Sequence, residues 1–85
     1  MASVYVIYSA KLDKYYVGAT VNIPRRIYEH NIGHSPFTSR GIPWELVYEE
    51  QFGSLGEAQF REREIKRKKS RKYLVWLITG GRNES

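Results

Sequence analysis

The sequence predicts an α+β fold, a three-stranded antiparallel sheet flanked by helices in the order ββαβαα. Two runs rich in tyrosine, valine and isoleucine, at 3–9 and 15–19, are separated by a short polar stretch and read as a hairpin. A third run, 44–52, alternates apolar and polar side chains. Three further segments carry helix-start signals: Asn22 with Pro24, Ser54 with Glu57, and Ser70.

Taken in order, Ser3 to Ser9 is apolar on nearly every residue, as a central strand covered on both faces would be. The loop Lys11–Lys14 leads into Tyr15 to Ala19. Asn22 can cap a helix over 22–31, with Pro24 in its first turn. His34 to Pro43 holds two prolines, a glycine, two serines and a threonine, and reads as a loop. In the third strand Trp44, Leu46, Tyr48 and Phe52 form one apolar set, with Glu45, Glu49 and Gln51 on the polar side. Ser54 and Glu57 form a capping box for a helix over 54–69. Ser70 then allows a break before a last helix over 71–78, which Gly80-Gly81 ends. One domain over 1–79 and a disordered tail over 80–85 are expected.

Composition narrows the function. There is no cysteine, so disulfides and thiolate metal sites are excluded. Fourteen Lys and Arg against nine Asp and Glu give a net charge of +5, which suits a polyanionic partner or is simply a solvated basic surface. No apolar run approaches the roughly 20 residues that span a bilayer, and no secretory leader pattern opens the chain, so a cytoplasmic location is expected by elimination.

Three features stand out from this frame. On the 54–69 helix, Leu55, Ala58 and Ile65 mark an inward stripe, and the position that continues it is Glu62. A carboxylate there must be paired, protonated or bound to a cation; a salt bridge with Arg26 is the structural alternative. On the 22–31 helix, Ile23, Ile27 and His30 share a face with Arg26 at its margin, where a guanidinium can offer its donor fork to a phosphate or carboxylate. No His/Asp/Glu cluster has multi-ligand spacing, which argues against zinc. One carboxylate completed by water and substrate phosphate is the manner of magnesium. Finally, four of the seven tyrosines, Tyr5, Tyr8, Tyr15 and Tyr16, lie in the first hairpin. Strand tyrosines usually pack, yet a phenol can orient or deprotonate water where cations lower its pKa from about 10. The basic run Arg61 to Lys72, followed by Tyr73 and Trp76, also suits nucleic acid.

At these residues the chain resembles the GIY-YIG nuclease superfamily, specifically its small single-domain bacterial members. Ser3-Val4-Tyr5 stands in the first motif and Tyr16-Val17-Gly18 in the second; Arg26 and His30 take the helix positions, and Arg61-Glu62 matches the late arginine-glutamate pair. The similarity extends through Glu29-His30-Asn31, Thr38, Arg40, Pro43 to Tyr48 and Glu64-Ile65-Lys66, nearly the whole chain. Departures are Ser3 where the first motif has glycine, Ala19 where some relatives carry lysine, and no counterpart of a late asparagine found in larger members.

The resemblance implies hydrolysis of a nucleic-acid phosphodiester, DNA ahead of RNA, in repair or processing. Glu62 would hold Mg²⁺ or Mn²⁺, Arg26 would contact the scissile phosphate, and Tyr5 would orient or deprotonate the attacking water. Tyr16 would position water or phosphate, with His30 as an auxiliary. Thr38, Arg40, Arg61 and Lys66 would contact nucleic acid. The alternatives are a non-catalytic nucleic-acid-binding module and a protein-interaction domain that meets an acidic partner through its basic helix.

Tyr8 competes with Tyr5, because Val6-Ile7-Tyr8 also looks like the first motif. A four-residue loop at 11–14 would pair Ala10 with Tyr15 and Ser9 with Tyr16, putting Tyr5, Ile7 and Ser9 on the face of Tyr16 and Gly18 and Tyr8 on the other. The eleven-residue spacing from Tyr5 to Tyr16 is also the one the resemblance favours. Tyr5 is therefore the expected catalytic tyrosine.

Overall fold

The computed structural model describes residues 1–34 and 36–80. Strand β1 (Ala2–Ser9) is central in an antiparallel sheet of order β2-β1-β3, with β2 (Lys14–Thr20) and β3 (Trp44–Phe52) on its flanks. Helix α1 (Ile23–Asn31) precedes β3, and α2 (Leu55–Arg67) and α3 (Arg71–Ile78) follow it, so the predicted ββαβαα order holds. The burial of β1 on both faces explains its continuous apolar sequence: only Tyr8 is less than fully buried. Of the expected tail, only Gly80 lies within the described residues.

Each helix starts where a side-chain oxygen can take an orphan amide. Asn22 Oδ1 accepts from Arg25 N at 3.1 Å, Ser54 Oγ from Glu57 N at 3.2 Å, and Ser70 Oγ from Tyr73 N at 3.2 Å. Pro24 fits α1 because the first turn needs no donor there. A short 3-10 helix, Ser39–Gly41, interrupts the loop before β3.

The hairpin turn has four residues as expected, but it falls at 10–13 rather than 11–14. Ser9 pairs with Lys14, Ile7 with Tyr16 and Tyr5 with Gly18, in place of Ala10 with Tyr15 and Ser9 with Tyr16. The cause is local. Asp13 takes a left-handed conformation (φ 54°), which aspartate tolerates, and three contacts hold it there. Tyr8 Oη donates to Asp13 Oδ1 at 2.6 Å, Arg71 Nη2 reaches the same oxygen at 2.7 Å, and Arg71 Nη1 donates to Asp13 O at 2.9 Å. The register moves by one position on each strand, which preserves parity, so Tyr5 still shares a face with Tyr16 and Gly18 while Tyr8 faces away.

The third strand corrects the sequence reading. Val6 pairs with Tyr48 but Ile7 with Leu46, so a bulge at Val47 breaks the expected single apolar set. Trp44 and Leu46 lie on the face of Tyr5 and Ile7, while Tyr48 and Phe52 lie on the face of Val4 and Val6. Two cores result. Ala2, Val4, Val6 and Val17 pack with Ala58 and Ile65 of α2 and Leu77 of α3. On the other face Tyr5, Ile7 and Trp44 pack with Tyr16, Ile42 and the α1 residues Ile23 and Ile27. Leu55, expected on the buried stripe of α2, is 38 % exposed at the first turn, beyond the sheet's cover.

Gly18 is fixed by close approach. A Cβ built there would lie 2.5 Å from Tyr5 Oη and 2.6 Å from Tyr5 Cζ, so the phenol rests directly on the glycine backbone. Gly18→Ala should therefore cost about 1–3 kcal/mol in urea unfolding through overpacking. Gly56→Ala, in α2 with only Ser54 Oγ near at 3.9 Å, should instead stabilise by about 0.5–1 kcal/mol.

Candidate active site

The Tyr5 face of the sheet carries buried polar groups that its opposite face does not need. Tyr5, at the centre of β1, is 1 % exposed, and His30, on the last turn of α1, is fully buried against it. Their contact, Tyr5 Oη to His30 Nε2 at 2.9 Å, gives each a partner in the interior. The other ring nitrogen, Nδ1, lies 2.8 Å from Thr38 Oγ1. Both partners are hydroxyls, so either neutral tautomer makes both bonds: with the proton on Nδ1, Tyr5 donates to Nε2 and Nδ1 to Thr38, and with it on Nε2 both directions reverse.

This line of bonds continues into the loop. Trp44 Nε1 donates to Thr38 O at 2.6 Å, and Asn31 clamps Trp44 at both backbone groups, accepting from its N at 2.6 Å and donating to its O at 3.0 Å. Thr38, expected at a nucleic-acid surface, is instead 1 % exposed with its hydroxyl on His30. Its hydroxyl is turned into the core, against the ring, rather than out to solvent.

Burial sets the protonation of the pair. It pushes the His30 pKa from 6.5 down to about 4, with the nearby Arg26 charge adding to the effect, so the ring is neutral at pH 7. Burial likewise raises the Tyr5 phenol, while Arg26 beside it works against that rise and the more distant Glu62 carboxylate adds to it. Arg26 also binds Glu29 on its own helix, Nη1 to Oε1 at 2.9 Å.

Glu62 and Lys66 extend the cluster from α2. Glu62 pairs with Lys66 one turn on, at 2.7 Å, rather than with Arg26. The Lys66 ammonium lies 5.7 Å from the centre of the Tyr16 ring, which in turn meets the His30 ring edge-on at 5.1 Å. Tyr5, Tyr16, Arg26, His30, Glu62 and Lys66 thus converge from β1, β2, α1 and α2, over a buried Thr38.

A family model described as the GIY-YIG catalytic domain matches residues 1–74. The chain belongs to the GIY-YIG family. Among curated relatives, a UPF0213 protein of Staphylococcus haemolyticus is 44% identical over 68 residues, covering 78% of this chain and 83% of its own. One from Natronomonas pharaonis is 44% identical over 64 residues, 74% of each chain, and one from Staphylococcus saprophyticus is 35% identical over 78 residues, 91% of this chain and 94% of its own. No solved structure gives a significant match.

The GIY-YIG domain is a nuclease-type domain, and nucleases of this family generally use a divalent metal. Among the described residues no three His, Cys, Asp or Glu side chains come together, so they form no all-protein cage. The Glu62 carboxylate, 21 % exposed beside Lys66, has the chemistry of a single anchor for a hard cation that keeps its waters and takes substrate oxygens.

Two sequence-stated residues lie apart from this GIY-YIG centre. Arg61 binds Glu50 through two bonds, at 2.9 and 3.2 Å, and donates to Tyr73 Oη at 3.3 Å, which commits it to the opposite face of the sheet. Burial alone would raise Glu50, but the hydrogen bonds from Arg61 and Tyr48 keep its carboxyl below the usual range. Arg40 is exposed on the 3-10 turn. The sequence marks Asn31 and Trp44 only as part of the resemblance and, for Trp44, as a strand residue; the clamp between them is not legible from it.

The buried imidazole has a consequence for stability. Its folded pKa lies below the unfolded value, so the unfolded chain takes up the extra proton as pH falls. The His30 contribution to stability should be fully present above pH 6.5 and be lost between 6.5 and about 4, on the order of 3 kcal/mol. Urea unfolding at pH 7.5, 5.5 and 4.5 should show this loss, and His30→Gln should flatten it while lowering stability at pH 7.5.

Proposed function

We propose that this GIY-YIG domain is a metal-dependent endonuclease that hydrolyses phosphodiester bonds, with DNA as its first substrate and repair or processing as its setting. The observation that carries the reading is the Tyr5–His30 bond: a buried phenol 2.9 Å from a neutral imidazole, with Arg26 beside it.

Each side chain has a role that follows from its chemistry. Arg26 donates to the non-bridging oxygens of the scissile phosphate, where charge builds. Tyr5 Oη orients the attacking water and accepts its proton as its own proton passes to His30 Nε2. The burial that lowers His30 opposes this transfer, and the phosphate's negative charge beside the ring offsets it. Nε2 faces Tyr5 and would take its proton in the tautomer whose Nδ1–H donates to Thr38. Tyr16 positions phosphate or water from the neighbouring strand. Glu62 would hold Mg²⁺ or Mn²⁺, which supplies charge neutralisation at the phosphate and the leaving oxygen.

Three substitutions separate this reading from a nucleic-acid-binding module that does not cut. Glu62→Gln should abolish cleavage across a panel of branched and linear substrates in Mg²⁺ or Mn²⁺. Its stability should stay within about 1 kcal/mol, because the lost pair with Lys66 is partly exposed. Tyr5→Phe should lose at least 100-fold in kcat, the scale of one acid-base group. Tyr8→Phe, which loses only a bond to Asp13 on the opposite face, should cut at nearly the wild-type rate. Comparable loss in the two tyrosine variants, or cutting by Glu62→Gln, would overturn the assignment.

A further inference from the structure

A groove of about 640 Å³ runs along the exposed edge of β2, between the hairpin turn and the junction of α2 and α3. It joins the candidate active site through two shared residues, Tyr16 and Lys66. Four cations line it, Lys14, Lys66, Lys69 and Arg71; Arg71 is paired with Asp13 and Lys66 with Glu62, each at 2.7 Å, so the lining keeps a net positive charge through Lys14 and Lys69. Its walls also offer aromatic faces: Tyr15, Tyr16 and, from the loop before β3, Phe37. Phe37 is 84 % exposed with its ring 6.3 Å from that of Tyr16, so most of its apolar surface is open to solvent.

From this combination we infer that the groove holds an unpaired nucleic-acid strand, with a base stacked on Phe37 next to the scissile phosphate. The proposal rests on the nuclease reading and adds the substrate class. The chemistry is that of single-strand binding: cations follow the phosphates, and a ring at groove level offers a π-face to any base. Paired bases present only edges and phosphates to such a wall, so Phe37 would gain nothing from a duplex. Steps in charge alone would serve both forms equally; the exposed ring is what discriminates.

The roles of Tyr16 and Lys66 in both places give the groove its direction. A strand lying along the β2 edge passes from Lys69 and Lys14 toward Tyr16, where the Lys66 ammonium sits over the ring and beside Glu62. One phosphate then reaches the cluster of Tyr5, His30 and Arg26 while the neighbouring base rests on Phe37.

The test measures binding and cutting separately, on the full chain. In EDTA, fluorescence anisotropy compares a labelled oligothymidine with a duplex of equal length, for wild type, Phe37→Ala and Phe37→Trp. Phe37→Ala should weaken the single strand about 10-fold, the scale of one base–aromatic stack. It should move the duplex less than 2-fold, and Phe37→Trp should restore the single-strand value. An oligonucleotide of abasic sugar-phosphates should bind more weakly and be indifferent to Phe37→Ala. Equal effects of Phe37→Ala on both forms, or none on either, would overturn the proposal and leave the groove a charged surface. The same proteins are then given labelled single-stranded, flapped and duplex substrates with Mn²⁺. Selective, Phe37-dependent binding without cutting upholds the groove while sinking the nuclease reading. Cutting of duplex with no Phe37 dependence does the reverse.

Discussion

A phenol and an imidazole buried in the middle of a sheet face must satisfy one another, and much of this small structure follows from that requirement. A typical hydrogen bond adds only about 0.5–1.5 kcal/mol net, but a buried donor or acceptor left alone costs about 1–3 kcal/mol. The line from Tyr5 through His30, Thr38 and Trp44 to Asn31 leaves none alone; among the described residues no buried side-chain nitrogen or oxygen lacks a partner. The same bonds strap the loop before β3 onto α1 and the sheet. Geometry at Tyr5 is therefore over-determined: Gly18 beneath the ring, His30 at its tip and β1 paired on both sides.

The two faces of the sheet divide the work between them. One buries valines against α2 and α3, and its polar network of Tyr48, Glu50, Arg61 and Tyr73 is internally paired. The other accepts buried polar groups and a thinner cover from α1. The bulge at Val47 makes this division possible on a single strand. It lets β3 give Trp44 to the polar face and Tyr48, Glu50 and Phe52 to the apolar one. Without it, Trp44 would sit opposite the Thr38 carbonyl it binds.

What the sequence disclosed follows from which signals are local. Caps at Asn22, Ser54 and Ser70 are read from a few neighbouring residues and held to the position. The face of Tyr5 survived a shift in register because face depends on parity, and a four-residue turn keeps parity wherever it falls. Glu62 was legible as a carboxylate on an apolar stripe, though its partner Lys66 was not, since a one-turn pair looks like any other on a charged helix. The bulge, the burial of Thr38 and the commitment of Arg61 to Glu50 are all tertiary. A bulge spends one residue that alternation cannot mark. A threonine in a loop of prolines and glycines reads as exposed until a histidine is found beneath it. Arg61 reaches from α2 to Glu50 on β3, eleven residues away, and no spacing rule connects them.

The charges at the site share one further property: each is neutralised by a neighbour on its own helix. Arg26 lies on Glu29 three residues on, and Glu62 on Lys66 four residues on, all with side chains about one-fifth to one-half exposed. Pairs of that kind contribute little to stability, so parting them costs little. A phosphate arriving at Arg26 offers a second acceptor to a guanidinium with donors to spare, and Glu29 need not be displaced. A dication held by Glu62 would compete with Lys66 for the carboxylate, and the ammonium, which lies over Tyr16, would then be free to meet the proposed strand. In the proposed reaction the free protein thus stores its charges in weak local pairs. A phosphate would add to the Arg26 pair and a cation would replace the Glu62 pair, while the buried Tyr5–His30 bond that sets the geometry would stay unchanged until the proton moves.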